Sequence, residues 1–217
     1  MKYLISFVFI MLFNSSCADY RFQTLDNPFY QYGINSISIP MFYNQSNFSN
    51  ISPVFTKEVY KMLSGFKGLK AQGGNANSDA TLIGIIESQN SRRQSRLATN
   101  PRSVENIADS DLGKERGDFA IPATNTLTLR LRVIVIKKPS KEEIKLLKSS
   151  LGKKEFISSK IIFKETIPIT ASFTREFLTG EASSVNHTQN LGAQRNSIFA
   201  MARSASQSFR EMILYAF

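Results

Sequence analysis

The chain has 217 residues, enough for one domain with sizeable loops, and 42% of them are hydrophobic, which is sufficient for a proper core. Its formal net charge is +10. A chain of this hydrophobicity is not a polar, disordered one, so the excess charge belongs on a folded surface. There it favours anionic partners: nucleic acid, anionic lipid or a polyanionic glycolipid.

Met1-Lys2 is followed by an apolar run to Phe13 that only Ser6 interrupts. Crossing a bilayer takes roughly 20 apolar residues, so this run is too short for a membrane helix. One positive residue, a short apolar run and then Asn14-Ser15-Ser16 have the layout of a secretory signal, expected over residues 1–16. Cys17, the only cysteine, follows at once. A lone thiol in an exported chain has no internal disulfide partner, and its position offers the explanation. Small residues followed by Cys resemble a bacterial lipoprotein signal, in which that Cys is acylated and becomes the mature N-terminus. The resemblance implies lipidation at Cys17 and, because Ala18 follows where an aspartate would signal retention, an outer-membrane location. Export argues against nucleic acid as a partner, and the basic and aromatic residues assemble no nucleic-acid motif.

Residues 17–33 are expected as a lipid-anchored tether, and residues 34–217 as the α/β domain. Residues 34–42 (INSISIPMF) alternate as a first strand, with Ile37 and Ile39 toward the core and Pro40 at its end. Residues 43–51 read as a polar loop, where the Asn-x-Ser triplets at Asn44, Asn47 and Asn50 are chance products of composition. Ser52-Pro53 is a helix start, a capping hydroxyl followed by proline at the first helical position. Phe55, Val59, Met62, Leu63 and Phe66 then share one face, and Gly65 and Gly68 stop the helix. After a turn at Gly73-Gly74-Asn75, residues 80–87 form a compact buried strand. Strand, helix and strand make a crossover unit.

Residues 88–122 form a long polar loop, of a length that is either functional or disordered. Arg92, Arg93 and Arg96 within it are candidate contacts for phosphate or carboxylate through bidentate hydrogen bonds. Residues 125–136 (NTLTLRLRVIVI) are the clearest strand. Leu127, Leu129, Leu131, Val133 and Val135 face one way, and Thr126, Thr128, Arg130 and Arg132 face the other. Arg130 and Arg132 therefore share a surface and are candidate contacts too, although outward-facing polar residues of no further role would look the same. Residues 140–152 carry a helical insert: a capping box of Ser140 and Glu143, a face of Ile144, Leu147 and Leu151, and Gly152 past the end. Lys141, Lys145 and Lys148 on its other face complete the candidate set. Residues 156–173 are a second long strand, pairing antiparallel with the previous one. After a polar stretch at 180–192 comes a C-terminal helix with Ile198, Ala202, Ala205, Phe209, Met212, Ile213 and Ala216 on its stripe. The expected fold class is α+β: a two-layer sandwich of a mixed four-stranded sheet with two long helices packed on one face, plus the short helical insert.

The Cys-terminated signal, Tyr20-Arg21-Phe22, the strand Ile37-Ser38-Ile39-Pro40-Met41-Phe42 and this element order together resemble the LPS-assembly lipoproteins (LptE-like). The resemblance spans nearly the whole chain. It implies an outer-membrane lipoprotein that plugs and helps assemble a large β-barrel translocon (LptD-like) and takes part in lipopolysaccharide transport to the surface. Its partners would be the barrel, lipopolysaccharide and, through the anchor, the membrane, with the protein at the periplasmic face or inside the barrel lumen. The chain departs from the family in its Arg-rich loop, in the helical insert, and in Phe13 and Asn14 ahead of Cys17. Catalysis has little to stand on. His187 is the only histidine, and residues 109–115 lack the full calcium-loop pattern, so no enzyme, cofactor or metal is expected. Two other readings fit the same N-terminus: a periplasmic secretion or scaffold lipoprotein that self-oligomerises, and a surface-displayed binding lipoprotein.

Overall fold

The computed structural model describes residues 25–74, 77–88, 96–103, 120–140, 142–144, 159–175 and 183–217. The signal at 1–16, Cys17 and Tyr20-Arg21-Phe22 lie outside the described residues. Seven strands form one mixed sheet: β1 (Ser36–Ile39), β2 (Tyr43–Gln45), β3 (Lys70–Gly73), β4 (Ala80–Ser88), β5 (Arg96–Ser103), β6 (Ala120–Lys137) and β7 (Ile161–Thr174). Two helices, α1 (Ser52–Leu63) and α2 (Ser183–Ala216), pack on one face of it, giving the α+β two-layer arrangement.

β6 organises the sheet. Its 18 residues span about 60 Å at roughly 3.3 Å per residue, longer than any neighbour. Along one flank it pairs antiparallel first with β5, through Leu127, and then with β4, from Leu129 to Lys137. β4 and β5 thus form a single interrupted line. The other flank takes β7, antiparallel, with a bulge between Val135 and Ile136. β1 and β2 form a second interrupted line, parallel to β4, and β3 pairs parallel on the outside of β1.

The alternation of β6 decides what lies under the helices. Leu127, Leu129, Leu131, Val133 and Val135 are all buried there, together with Phe163, Ile167 and Ile169 of β7. α1 adds Phe55, Val59 and Leu63 to this core. α2 adds Met201, Ala202, Ala205, Phe209 and Ile213, its two alanines letting the backbone lie close to the sheet. Ser197 Oγ of α2 donates to the Ser172 carbonyl of β7 at 3.2 Å, a further tie between the layers.

Between β1 and β2 the chain leaves the ladder, and Phe42 turns inward. Its N–H donates to Thr56 Oγ1 at 3.0 Å, and its ring lies directly on β4 at Gly84. A Cβ on Gly84 would stand 2.5 Å from that ring, closer than any real contact, so the strand needs glycine there.

The four expected strands are present as β1, β4, β6 and β7, but the sheet holds three more. β2 comes out of the Asn/Ser loop, β3 precedes the Gly73 turn, and β5 lies inside the stretch 88–122 read as a loop. Backbone pairing to an existing edge makes these strands, without an apolar alternation of their own; β5 even sets Pro101 opposite Pro122. Ser52 is the first residue of α1, not its cap: Ile51 holds that place and no side chain caps the helix. α2 starts at Ser183, so most of the stretch 180–192 is helix and His187 sits exposed on it. Residues 25–33, expected as tether, are packed against the domain. The buried Asn27 amide donates to the Ile34 carbonyl at 2.6 Å, and Phe29 is fully buried with its ring 5.4 Å from that of Phe217. The second long strand begins at Ile161, and residues 151–158 lie outside the described residues.

The capping box of the insert forms: Ser140 N–H donates to Glu143 Oε2 at 2.7 Å, and Glu143 N–H donates to Ser140 Oγ at 3.1 Å. Residues 142–144 are helical, and the remainder of the insert lies outside the described residues.

Gly84→Ala is expected to lower stability by about 1–3 kcal/mol, as overpacking does, read as a fall in the urea midpoint. Combined with Phe42→Leu, the loss should be smaller than the sum of the two single losses, because the two sites share one contact.

Candidate functional site: the helix-free face of the sheet

The face of the sheet away from the helices carries the outward residues of β6. In order along the strand these are Thr124, Thr126, Thr128, Arg130, Arg132, Ile134 and Ile136. β7 sets Thr174, Ser172, Thr170, Pro168, Thr166 and Lys164 opposite the first six of them. The face therefore has three zones. Hydroxyl pairs fill one end, with the β7 members exposed. Arginines occupy the middle. At the other end Ile83, Ile85, Ile134 and Ile136 form a small buried cluster of their own, with Tyr43 and Ile161 packed beside it.

The two arginines differ. Arg132 lies opposite Ile85 and Thr166 in the ladders, and its Nη2 reaches diagonally to Glu87 Oε2 at 3.1 Å. The two side chains are 35% and 20% exposed, so the pair contributes at most about 1 kcal/mol. What it does is hold the Arg132 guanidinium in place and neutralise it. Arg130, opposite Glu87 and Pro168, is exposed, and among the described residues it has no ion-pair partner. It is an available cation of this face.

Arg96 begins β5, opposite Leu127. Cys17, Arg92, Arg93, Lys141, Lys145 and Lys148 lie outside the described residues. β4 ends at Ser88 opposite Leu129 and β5 resumes at Arg96 opposite Leu127, so the segment with Arg92 and Arg93 leaves and rejoins the sheet on either side of Thr128.

A polar cleft of about 510 Å³ lies at the far end of the sheet, among Ser36, Asn77, Ser78, Asp79 and Lys138. Asp79 Oδ2 accepts from Ser36 Oγ at 2.8 Å and from the N–H groups of Ser36 and Asn35 at 3.0 and 3.1 Å. Asp79 N–H in turn donates to Ser36 Oγ at 3.0 Å, and Ser38 Oγ donates to the Gly74 carbonyl. These bonds pin the segment that crosses β1 on its way from β3 to β4. They also lower the Asp79 pKa below 3.8, the Ser36 hydroxyl being the largest cause, then the Asn35 N–H. This geometry reads as a structural latch. Nothing in the sequence singled it out, because its partners lie 43 residues apart. Charge counting also passed over Lys61, Arg203 and Arg210, which come together between the helices. Among the described residues, no group of three or more His, Cys, Asp or Glu could hold a metal ion.

No protein-family model and no curated protein matches the chain. Solved structures are similar to it. Rare lipoprotein B from Shewanella oneidensis aligns with a TM-score of 0.38 and 8% identity, over 83% of this chain and 98% of that one. Lipoprotein B from Nitrosomonas europaea aligns with a TM-score of 0.38 and 11% identity, over 89% and 87%. A protein from Chlamydia trachomatis aligns with a TM-score of 0.43 and 9% identity, over 84% and 97%. At such identities, function has to be argued from the residues of this chain.

Asp79→Asn is expected to destabilise the protein at neutral pH. The folded-state pKa is depressed, so the carboxylate's contribution is present above the unfolded value near 3.8 and is lost as pH falls through the lower folded value. Urea midpoints of the two proteins should therefore differ at pH 7 and converge as pH drops below 3.8.

Proposed function

We propose that this is a non-catalytic outer-membrane lipoprotein, acylated at Cys17, that plugs and helps assemble a large β-barrel lipopolysaccharide translocon. In this reading it takes part in carrying lipopolysaccharide to the cell surface. The N-terminal signal ending at Cys17 supports the anchor, and the order of motifs after it supports the LptE-like assignment. The observation that carries the functional part is the helix-free sheet face. Among the described residues α1 and α2 both lie on one side, leaving a surface of threonines around the exposed Arg130. Large barrels have polar interiors, which such a hydroxyl surface can meet with hydrogen bonds. A guanidinium standing in it suits the phosphate groups of a glycolipid.

A self-assembling scaffold is the second reading, and the free flank of β7 favours it. Among the described residues, this strand of 14 residues pairs only with β6. Pro168 in its middle limits the reading, because proline has no N–H to offer an incoming strand.

Affinity purification of the tagged, full-length lipoprotein from detergent-solubilised outer membranes tests both. A near-stoichiometric large β-barrel is the expected co-purifying protein. Recovery of the lipoprotein alone would overturn the plug reading, and recovery as a ring of itself would replace it with the scaffold. Surface display would instead show as digestion by protease added to intact cells. In the same preparation Arg130→Gln is expected to weaken recovery of barrel or lipopolysaccharide about tenfold, the order of one charged hydrogen bond. Its melting temperature should be unchanged, since Arg130 has no ion pair to lose among the described residues.

A further inference from the structure

A groove of about 330 Å³ runs between α1 and α2, on the side of the molecule opposite the sheet face described above. Its floor is apolar, made by Met62 and the buried ring of Phe66. Three cations line it: Lys61 from α1, and Arg203 and Arg210 from α2. The two arginines are seven residues apart, so they project from the same side of their helix about two turns apart. Arg210 stands over Phe66 with its Cζ 5.8 Å from the ring centroid, which holds the guanidinium in place without using its N–H donors. Glu58 is the only acid in the lining, and among the described residues none of the three cations is ion-paired. The C-terminal end of α1 carries a partial negative charge that opposes an anion there only weakly against three full positive charges. Its last carbonyls already accept hydrogen bonds, Tyr60 from Ser64 at 2.9 Å and Met62 from Gly65 at 3.1 Å.

The place of the groove along the chain says which anion would meet it. Leu25, also in the lining and 46% exposed, lies eight residues after Cys17. Eight residues reach at most about 29 Å when fully extended. If Cys17 is acylated, as the proposed function holds, the groove cannot stand further than that from the membrane surface. We propose that the α1–α2 groove binds the anionic headgroup of a membrane glycerophospholipid, with phosphate between Lys61, Arg203 and Arg210 and the upper acyl chain along Met62, Phe66 and Leu25. Its volume suits one headgroup with the start of a chain, at the low end of small-ligand pockets, and not a glycolipid with many chains. Before the domain enters the barrel, the groove orients it on the leaflet and leaves the sheet face turned toward the partner.

The test is a calorimetric titration of the mature, full-length protein in maltoside detergent. The probes are dihexanoyl phosphatidic acid, dihexanoyl phosphatidylcholine and inorganic phosphate, each below any micelle-forming concentration. Saturable binding of phosphatidic acid is expected, at least tenfold tighter than of phosphatidylcholine or phosphate. Arg203→Gln and Arg210→Gln should each weaken it about tenfold, while Lys70→Gln, at an exposed position of β3 outside the groove lining, leaves it unchanged. Equal binding of phosphatidylcholine would overturn the role of the cations. Equal binding of inorganic phosphate would overturn the lipid, and absence of binding would overturn the site. Should the glutamine variants melt lower, Lys61→Gln, on the exposed side of α1, gives the same reading without touching the Phe66 contact. Mass analysis of the N-terminal peptide tests the anchor separately, so an unacylated Cys17 and an empty groove are distinguishable failures.

Discussion

The strict alternation of β6 is the constraint on which the rest of the molecule rests. With leucine and valine at every second position from Leu127 to Val135, one side of the strand has to be covered, and α1 and α2 exist to cover it. A shift of one residue in its pairing would turn that entire row to solvent and bring Arg130 and Arg132 under the helices, at a cost of several kcal/mol for each unpaired charge. Registers with β4, β5 and β7 are therefore fixed together. Everything placed by those registers, including the Arg132–Glu87 pair and the ladder of hydroxyls, inherits its position from them.

The same logic explains what could be read in the sequence and what could not. β6, β4 and the buried stripe of α2 announce themselves because burial imposes a period on the residues. β2, β3 and β5 are held mainly by backbone hydrogen bonds to edges that already exist, and those leave little trace in side-chain pattern. The first turns of α2 were hidden for a related reason. They are largely exposed, so polar residues and Gly192 are tolerated there, with nothing within 4 Å of the place a Cβ would take. On the site, period two was enough to put Arg130 and Arg132 on one surface. Their unequal state depends on a contact between residues 45 positions apart, and no local pattern encodes that. Lys61, Arg203 and Arg210 were illegible in the same sense. Each is an ordinary exposed helical cation until the packing of α1 on α2 brings them round one groove.

Charge is thus divided between two surfaces with different neighbours. On the sheet face the exposed Arg130 guanidinium stands among hydroxyls, a setting suited to hydrogen-bonded contact with a polar wall. Between the helices three cations surround aromatic and aliphatic carbon, a setting suited to an amphiphile. An excess of ten positive charges in the sequence says only that anions are favoured; the two-layer fold sorts some of those charges by what lies next to them.

The interrupted line of β4 and β5 bears on how such a chain can change over generations. Ser88 and Arg96 are both held by β6, only two ladder positions apart, so the seven residues between them join two points that are set by other parts of the molecule. The entropy of closing such a connection grows slowly, by about 0.6 kcal/mol for each doubling of its length. Insertions and deletions there leave every register in the sheet where it was. The segment that carries Arg92 and Arg93 is in this sense free to drift in length and charge, acquiring or losing contacts with a partner while the scaffold beneath it stays the same.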